Sequence, residues 1–427
     1  MSIVVGIVNV ALIAFLSYRL WQGDSSALKP IYWHALLFKL LSGIALGLLY
    51  TYYYNGGDTF NYFNDGVKLA NLAREDVTSY VRFLWSGDES FSIWRDLTYK
   101  QPRAMFLSKI TSIFCILSAN SYWVSSLWFS LISFYGAWKL ARKALVLTSD
   151  SRFAVALAFL FFPSVVFWTS GLIKESLAMA ALFFLCFVFL QIWTKEKIRL
   201  LDWVLTVIAV WVLWNLKYYY LGLFLPIVIT ALMVRWIFSR ITTKSLIGKV
   251  FLWCIIFIAP LLLISSLHPN FYPQRFLQVV VSSYHEFHTI SGPGDVIHYG
   301  TMEPTIAGIM KNVPLAIVSG LYRPAFTEVT TGLQILSATE NLLLILLTIA
   351  ALTRAKESLK SKHRLLIFSL LVYVLVLCIF LALSTPNFGT LSRFRVGFLP
   401  FFVLLITIAN PLVTRLVRAK WPANLVP

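Results

Sequence analysis

Carboxylates are scarce in this chain: 18 Asp and Glu stand against 36 Lys and Arg in 427 residues, and charged residues make up only 13% of the total. A soluble domain carries roughly a quarter of its residues as charges, so this composition excludes a water-soluble fold. Cysteine is equally sparse. Cys115, Cys186, Cys254 and Cys378 all lie in apolar surroundings with no CxxC pair, which leaves no basis for a disulfide framework or a cysteine metal site. Walker A, GxSxG and HExxH sequences are also missing. ATP-driven transport, serine hydrolysis and zinc proteolysis therefore have no motif to rest on.

What the chain has is apolar length. It is 59% hydrophobic with a mean hydropathy of +0.77, and runs near the ~20 residues that cross hydrocarbon recur throughout. The expected fold is all-α, a polytopic transmembrane bundle forming one integral membrane domain over 1–427. About eleven spans are expected, at 2–19, 31–53, 121–138, 153–168, 171–193, 201–216, 218–236, 248–266, 332–353, 365–384 and 395–414. The N-terminus has no charge before its apolar run and no A-x-A cleavage site, so it reads as a retained helix. The net charge of +18 is spread over short loops without a zinc or RNA-binding motif, which points to anionic lipid and not to nucleic acid.

Charge is also sorted along the chain. Seven of the acidic residues (Asp58, Asp65, Glu75, Asp76, Asp88, Glu89 and Asp96) lie in 54–104. The connections 19–29, 139–152, 195–199, 235–249 and 354–364 and the tail are mainly basic. Alternating spans put all the basic connections on one face, which predicts an extracytoplasmic N-terminus and a cytoplasmic C-terminus. The outer face then holds two large loops, 54–120 and 267–331. Residues 104–118 read as an interfacial helix, and 304–322 as interfacial or re-entrant.

Four outer-face constellations have chemical potential. In Tyr54–Asp65, two glycines turn the chain as it leaves the membrane, and a helix starting near Thr59 places Asp58, Tyr62 and Asp65 on one face. A carboxylate there can act as a general base or bind a metal, or simply cap a helix. In Phe162–Ser176, Lys174 and Glu175 open a long apolar helix whose N-terminus suits a phosphate. Gly320–Glu328, followed by Glu340-Asn341, and Asn387–Arg395 supply Arg323, Arg393 and Arg395, which can grip phosphate or pair with Glu328 and Glu340. In the loop 267–303, His288 or His298 can serve as an acid–base group; the His285-x-x-His288 spacing has no evident third metal ligand.

The GGDTFNYF motif, the PSVVFWTSGLIKESLA hairpin and the basic SRFRVGFLPFF motif together resemble the GT-C superfamily of integral membrane glycosyltransferases. They are also similar to the related bacterial exopolysaccharide and O-antigen polymerases. The sequence departs from that pattern in placing its acidic loop after the second expected span. The resemblance implies a sugar or glycan donor on polyprenyl phosphate or diphosphate, a glycan or lipid acceptor, and transfer on the extracytoplasmic face. It implies Asp58 as the acidic residue at the acceptor or a divalent cation, with Asp65 as a weaker candidate. Lys174, Arg323, Arg393 and Arg395 are implied as the grip on the carrier phosphate. Glu175 is expected to orient Lys174 or to bind the acceptor, with Tyr62, Glu328 and His288 as further substrate contacts. The rival expectation is a transporter or flippase for a lipid-linked glycan or an anionic solute.

Overall fold

The computed structural model describes residues 2–87, 89–145, 151–240, 246–292, 294–354 and 363–420. Asp88, Lys244 and most of the basic 354–364 connection lie outside them. The chain is 82% helix, with no strand among the described residues. In order, the helices are α1 (Ser2–Gln22), α2 (Tyr32–Tyr52), α3 (Asp58–Glu75), α4 (Val77–Ser86), α5 (Ile93–Asp96), α6 (Pro102–Leu117), α7 (Tyr122–Leu145) and α8 (Arg152–Ala156). Then follow α9 (Pro163–Trp168), α10 (Lys174–Thr194), α11 (Leu200–Phe238), α12 (Leu246–Leu267), α13 (Pro273–Ile290) and α14 (Ile306–Tyr322). The last are α15 (Gly332–Leu352), α16 (Arg364–Ser384), α17 (Phe388–Phe394), α18 (Leu399–Thr407) and α19 (Pro411–Lys420).

Seven of these, α1, α2, α10, α11, α12, α15 and α16, are long and apolar enough to cross a membrane. The number is nine if two bent pairs, α6 with α7 and α17 with α18, each count as one crossing. This is the make-up of a multi-pass membrane protein. The expected intervals differ from the helices in three places. The 153–168 interval is broken: α8 passes into a π-helical stretch, Leu157–Phe161, and the chain then opens at Phe162 before Pro163 starts α9. The 201–216 and 218–236 intervals form one 39-residue helix, α11, interrupted by non-helical geometry at Lys217. The 395–414 interval divides into a short 3-10 turn, α18 and α19, with prolines opening both α-helices.

The chain forms two compact units, Met1–Val146 with Phe159–Tyr218, and Leu147–Ala158 with Tyr219–Pro427. In the first unit α7 packs against α10 and α2. Helix α10 is the buried centre, with 89% of its apolar window inside the protein against 17% for α1. Close approach depends on small residues: a Cβ on Gly136 would lie 2.5 Å from the Ala180 carbonyl oxygen. At one end of this unit the last turns of α7 meet carboxylates from other segments. Arg142 and Trp138 bind Asp24, Lys139 binds Asp202 at 3.3 Å, and Lys143 pairs with Glu196. At the far end of α2 a layer made of α3, α4 and α6 closes over Leu69, Tyr80, Phe83, Leu97 and Met105.

In the second unit α14 and α13 pack on α16, and α15 packs on α14 and α18. A strap, residues 294–303, is tied down at several points. Ile297 N–H donates to the Pro386 carbonyl, Phe388 N–H to the Asp295 carbonyl, and Tyr299 Oη to the Ala382 carbonyl. The Asp295 carboxylate accepts from Thr330 and Gln334.

Gly136 offers a test of the packing. Helix propensity alone favours Ala over Gly by about 0.8–1.0 kcal/mol. The clash with backbone atoms of Ala180 costs about 1–3 kcal/mol and should win. Gly136→Ala is expected to lower the melting temperature in detergent. Gly6→Ala in α1, where nothing lies within 4 Å of the new methyl, should hold or raise it.

Candidate functional site

The glycine turn sets the first cluster. Gly57 has φ +109°, and a Cβ there would press on the Tyr50 ring at 3.3 Å. Only glycine fits that geometry easily, and α3 begins at the next residue, Asp58. Thr59 then staples this first turn inward: its buried hydroxyl donates to the Leu172 carbonyl at 2.9 Å and hydrogen-bonds Tyr122 Oη at 2.8 Å. Leu172 lies two residues before the start of α10, so the staple carries Lys174 to the same place. Lys174 Nζ sits 5.2 Å from the centre of the Tyr62 ring.

Asp58, Tyr62 and Asp65 share the face of α3 that their spacing predicts. Tyr62 and Asp65 are buried and Asp58 is half-buried. The far side of the cluster is Tyr99, which follows α5. Its ring stacks on Tyr62 at 4.6 Å, and its hydroxyl donates to Asp58 Oδ1 at 2.6 Å. Asp65, fully buried, accepts the Thr98 N–H at 2.8 Å and the Tyr99 N–H at 3.0 Å, one on each oxygen. Lys68 pairs with Asp65 at 3.8 Å. The cluster thus offers a half-buried carboxylate, two aromatic rings and an ammonium group. Such a set can accept a proton from a hydroxyl group and stabilise a nearby anion.

Glu175 takes a different position. It is fully buried in the first turn of α10, and its carboxylate pairs with Lys217 at 2.9 Å. Lys217 has φ −145° and ψ 62°, so the interruption of α11 falls on the residue that makes the pair. Lys39, in the middle of α2, is also buried and bonds to the Thr169 hydroxyl.

The second unit holds the arginines. Arg323 is engaged by Glu328: its Nε donates to Oε2 at 3.0 Å and its Nη2 pairs with Oε1. Its guanidinium also lies over Phe388, 5.2 Å from the ring centre. Arg395, 1% exposed, donates from Nη1 to Asn341 Oδ1 at 2.7 Å, and Asn341 in turn donates to the Pro324 carbonyl. Glu340 lies 3.9 Å from Arg395 Nη2, while Nε and Nη2 have no hydrogen-bond partner among the described residues. Arg393 is buried in the last turn of α17. His288 Nε2 and His298 Nδ1 lie 3.0 Å apart and tie α13 to the strap. Among the described residues no three His, Cys, Asp or Glu side chains gather into a group able to hold a metal ion.

Tyr99, Lys217 and Lys39 join these contacts and are not among the candidate residues of the sequence. Lys217 had a visible signal, as a lone charge within a long apolar run. Tyr99 had none, since its partners Asp58 and Asp65 stand 41 and 34 residues away. The chain matches no protein-family model, no curated protein and no solved structure.

Two variants probe these pairs. Removing one partner of the Glu175–Lys217 pair leaves an uncompensated buried charge, at a cost of about 3–5 kcal/mol. Glu175→Leu or Lys217→Met alone should lower the melting temperature sharply, and the double variant should recover most of the loss; a double no better than the singles would remove the pairing. For Glu328, burial pushes the carboxyl up. The Arg323 hydrogen bond, the Ala325 N–H and the Arg323 charge outweigh it and hold the group below its ordinary 4.5. A depressed value means stability that is present at neutral pH and lost as pH falls through the folded value. Wild type should out-melt Glu328→Gln at pH 7, and the gap should close in acid; a pH-independent gap would contradict the assignment.

Proposed function

We propose that this protein is a glycosyltransferase working at the extracytoplasmic face of a bacterial inner membrane. It would use a polyprenyl-phosphate- or diphosphate-linked donor in cell-surface glycan assembly. The observation that carries the reading is Asp58, half-buried where α2 ends and α3 begins, with Tyr99 donating to it and Lys174 beside Tyr62. In this reading Asp58 takes the proton of an acceptor hydroxyl as that oxygen bonds to the anomeric carbon. The bond from that carbon to the carrier phosphate breaks, and the phosphate leaves with the electron pair. Lys174 stabilises the departing anion, the kind of fixed electrostatic help that contributes most to many enzymes. Tyr62 lines the site, and Asp65 and Glu175 position its two sides. In the second unit, Arg395, Arg393 and Arg323 are proposed to contact anionic phosphate, with Glu328 holding Arg323. His288 is proposed as a substrate contact on the strap. No step needs a metal, although a divalent cation on Asp58 is compatible with the scheme.

The eleven-span arrangement, with the N-terminus outside and the C-terminus in the cytoplasm, belongs to the same proposal. At 39 residues, α11 is about 58 Å long, roughly twice the hydrocarbon thickness. Two crossings divided at Lys217 account for that length.

A transporter or flippase for a lipid-linked glycan or an anionic solute is the second reading. It is favoured by Lys39 and the Glu175–Lys217 pair, ionisable groups inside the helical bundle of the kind transport pathways use. One experiment separates the two. Proteoliposomes of wild type and Asp58→Asn receive radiolabelled undecaprenyl-linked sugars and a cell-envelope acceptor fraction. The enzyme reading expects label in the acceptor with wild type, and a loss of roughly 10²- to 10⁴-fold in the variant. Equal transfer by both proteins would end the Asp58 mechanism. Movement of carrier lipid across the bilayer without transfer would establish the second reading.

A further inference from the structure

We infer that Tyr99 is the positioning residue of Asp58, held in place by Asp65 so that its hydroxyl keeps the Asp58 carboxylate ionised and aimed. This deepens the reading of Asp58 as the reactive carboxylate and rests on it for its functional meaning. The geometry of the phenol stands by itself.

Tyr99 is fixed from three directions. From below, both oxygens of the fully buried Asp65 are used by the Thr98 and Tyr99 backbone N–H groups, at 2.8 and 3.0 Å. A carboxylate that accepts two backbone donors sets the orientation of that peptide pair. From the side, the Tyr62 ring stacks on the Tyr99 ring with centroids 4.6 Å apart. At the tip, the hydroxyl donates to Asp58 Oδ1 at 2.6 Å and accepts from the Asn61 amide at 3.5 Å. Asp58, Tyr62 and Asp65 come from successive turns of one helix, so α3 grips the Tyr99 segment at three levels. Two of those contacts hold the backbone and the ring. The third places the one polar atom of the side chain on the carboxylate.

A purely structural tyrosine would need only the stack and the backbone hold. The hydroxyl distinguishes the two cases, because a hydrogen bond to the charged form of a carboxyl favours that form. Tyr99→Phe removes the hydroxyl and keeps the ring. It leaves Lys174 beside Tyr62 and Lys68 beside Asp65 in place, so the change reports on the phenol.

The test uses the full chain in detergent micelles. Carboxyls are modified with a water-soluble carbodiimide and an amine, which react with the protonated acid, and labelling of Asp58 is measured by peptide mass spectrometry. A hydrogen bond to a charged group contributes about 1.5–3 kcal/mol, so Asp58 labelling should rise roughly tenfold or more in Tyr99→Phe. Glu75, in the last turn of α3, should label unchanged. Asp65→Asn, which weakens the hold on the Thr98–Tyr99 backbone, should raise Asp58 labelling in the same direction. Melting temperatures establish that each variant is folded. Unchanged Asp58 labelling in folded Tyr99→Phe would overturn the inference. Glycosyl transfer is followed in the same preparations. Labelling that responds in protein without transfer activity supports the Tyr99 assignment and counts against the glycosyltransferase reading. Transfer lost in Asp58→Asn, with both labelling and transfer untouched in Tyr99→Phe, removes the Tyr99 role and keeps that reading.

Discussion

A charge buried among apolar helices has no water to turn to, so it must find its partner within the fold or remain costly. The first unit is organised by that requirement. Asp24 gathers Trp138 and Arg142, and Lys143 reaches Glu196. Deeper in, Glu175 and Lys217 meet at 2.9 Å. Each pair joins a helix either to another helix or to a segment that connects two helices. These pairs therefore specify how far each helix extends and where it turns, a task that non-directional apolar packing does poorly. Burial of α10 supplies cohesion, and the pairs supply register.

The candidate site follows from the same logic on a smaller scale. Gly57 allows the chain to turn, so α3 starts at Asp58. Thr59 fastens that turn to the Leu172 carbonyl, which sets the start of α10 and hence Lys174. Asp65, two turns along, captures the backbone of a loop and delivers Tyr99. The buried Thr59 and Asp65 thus locate the groups of the cluster on either side of α3. The exposed chemistry rests on a concealed scaffold of polar contacts, as a site on rigid elements requires.

Much of this was legible in the sequence. Hydropathy located the long helices, and the i, i+4, i+7 spacing of Asp58, Tyr62 and Asp65 described their shared face. Other features were hidden for physical reasons. A lone lysine on an apolar helix usually extends toward the interface, and nothing local to Lys39 tells that case from burial against Thr169. The helix break at Phe162–Pro163 looks in sequence like one more apolar run. The interruption between 201–216 and 218–236 falls on Lys217, whose partner Glu175 lies 42 positions away in the chain (217 − 175). In sequence Arg323 could equally grip phosphate or pair with Glu328, and only side-chain geometry shows that it pairs. Periodicity reports which face of a helix is apolar; it carries no information about which polar group a distant loop will bring.

The charge cluster at the end of α7 also bears on how the protein is made. Lys139 is synthesised 63 residues before Asp202, the acid it binds in the finished fold, and Lys143 precedes Glu196 by more than fifty. While α7 is entering the bilayer, those two lysines have not yet met their carboxylates. Positive charge next to a new helix is what holds it on one side of the membrane, and acids contribute little to that decision. The lysines can therefore act first as unneutralised anchors that orient α7. Later, when the chain beyond α10 has emerged, they become members of ion pairs that lock the bundle. Residues of one kind serve in turn as a topological signal and as structural cement, and the order of synthesis separates the two uses.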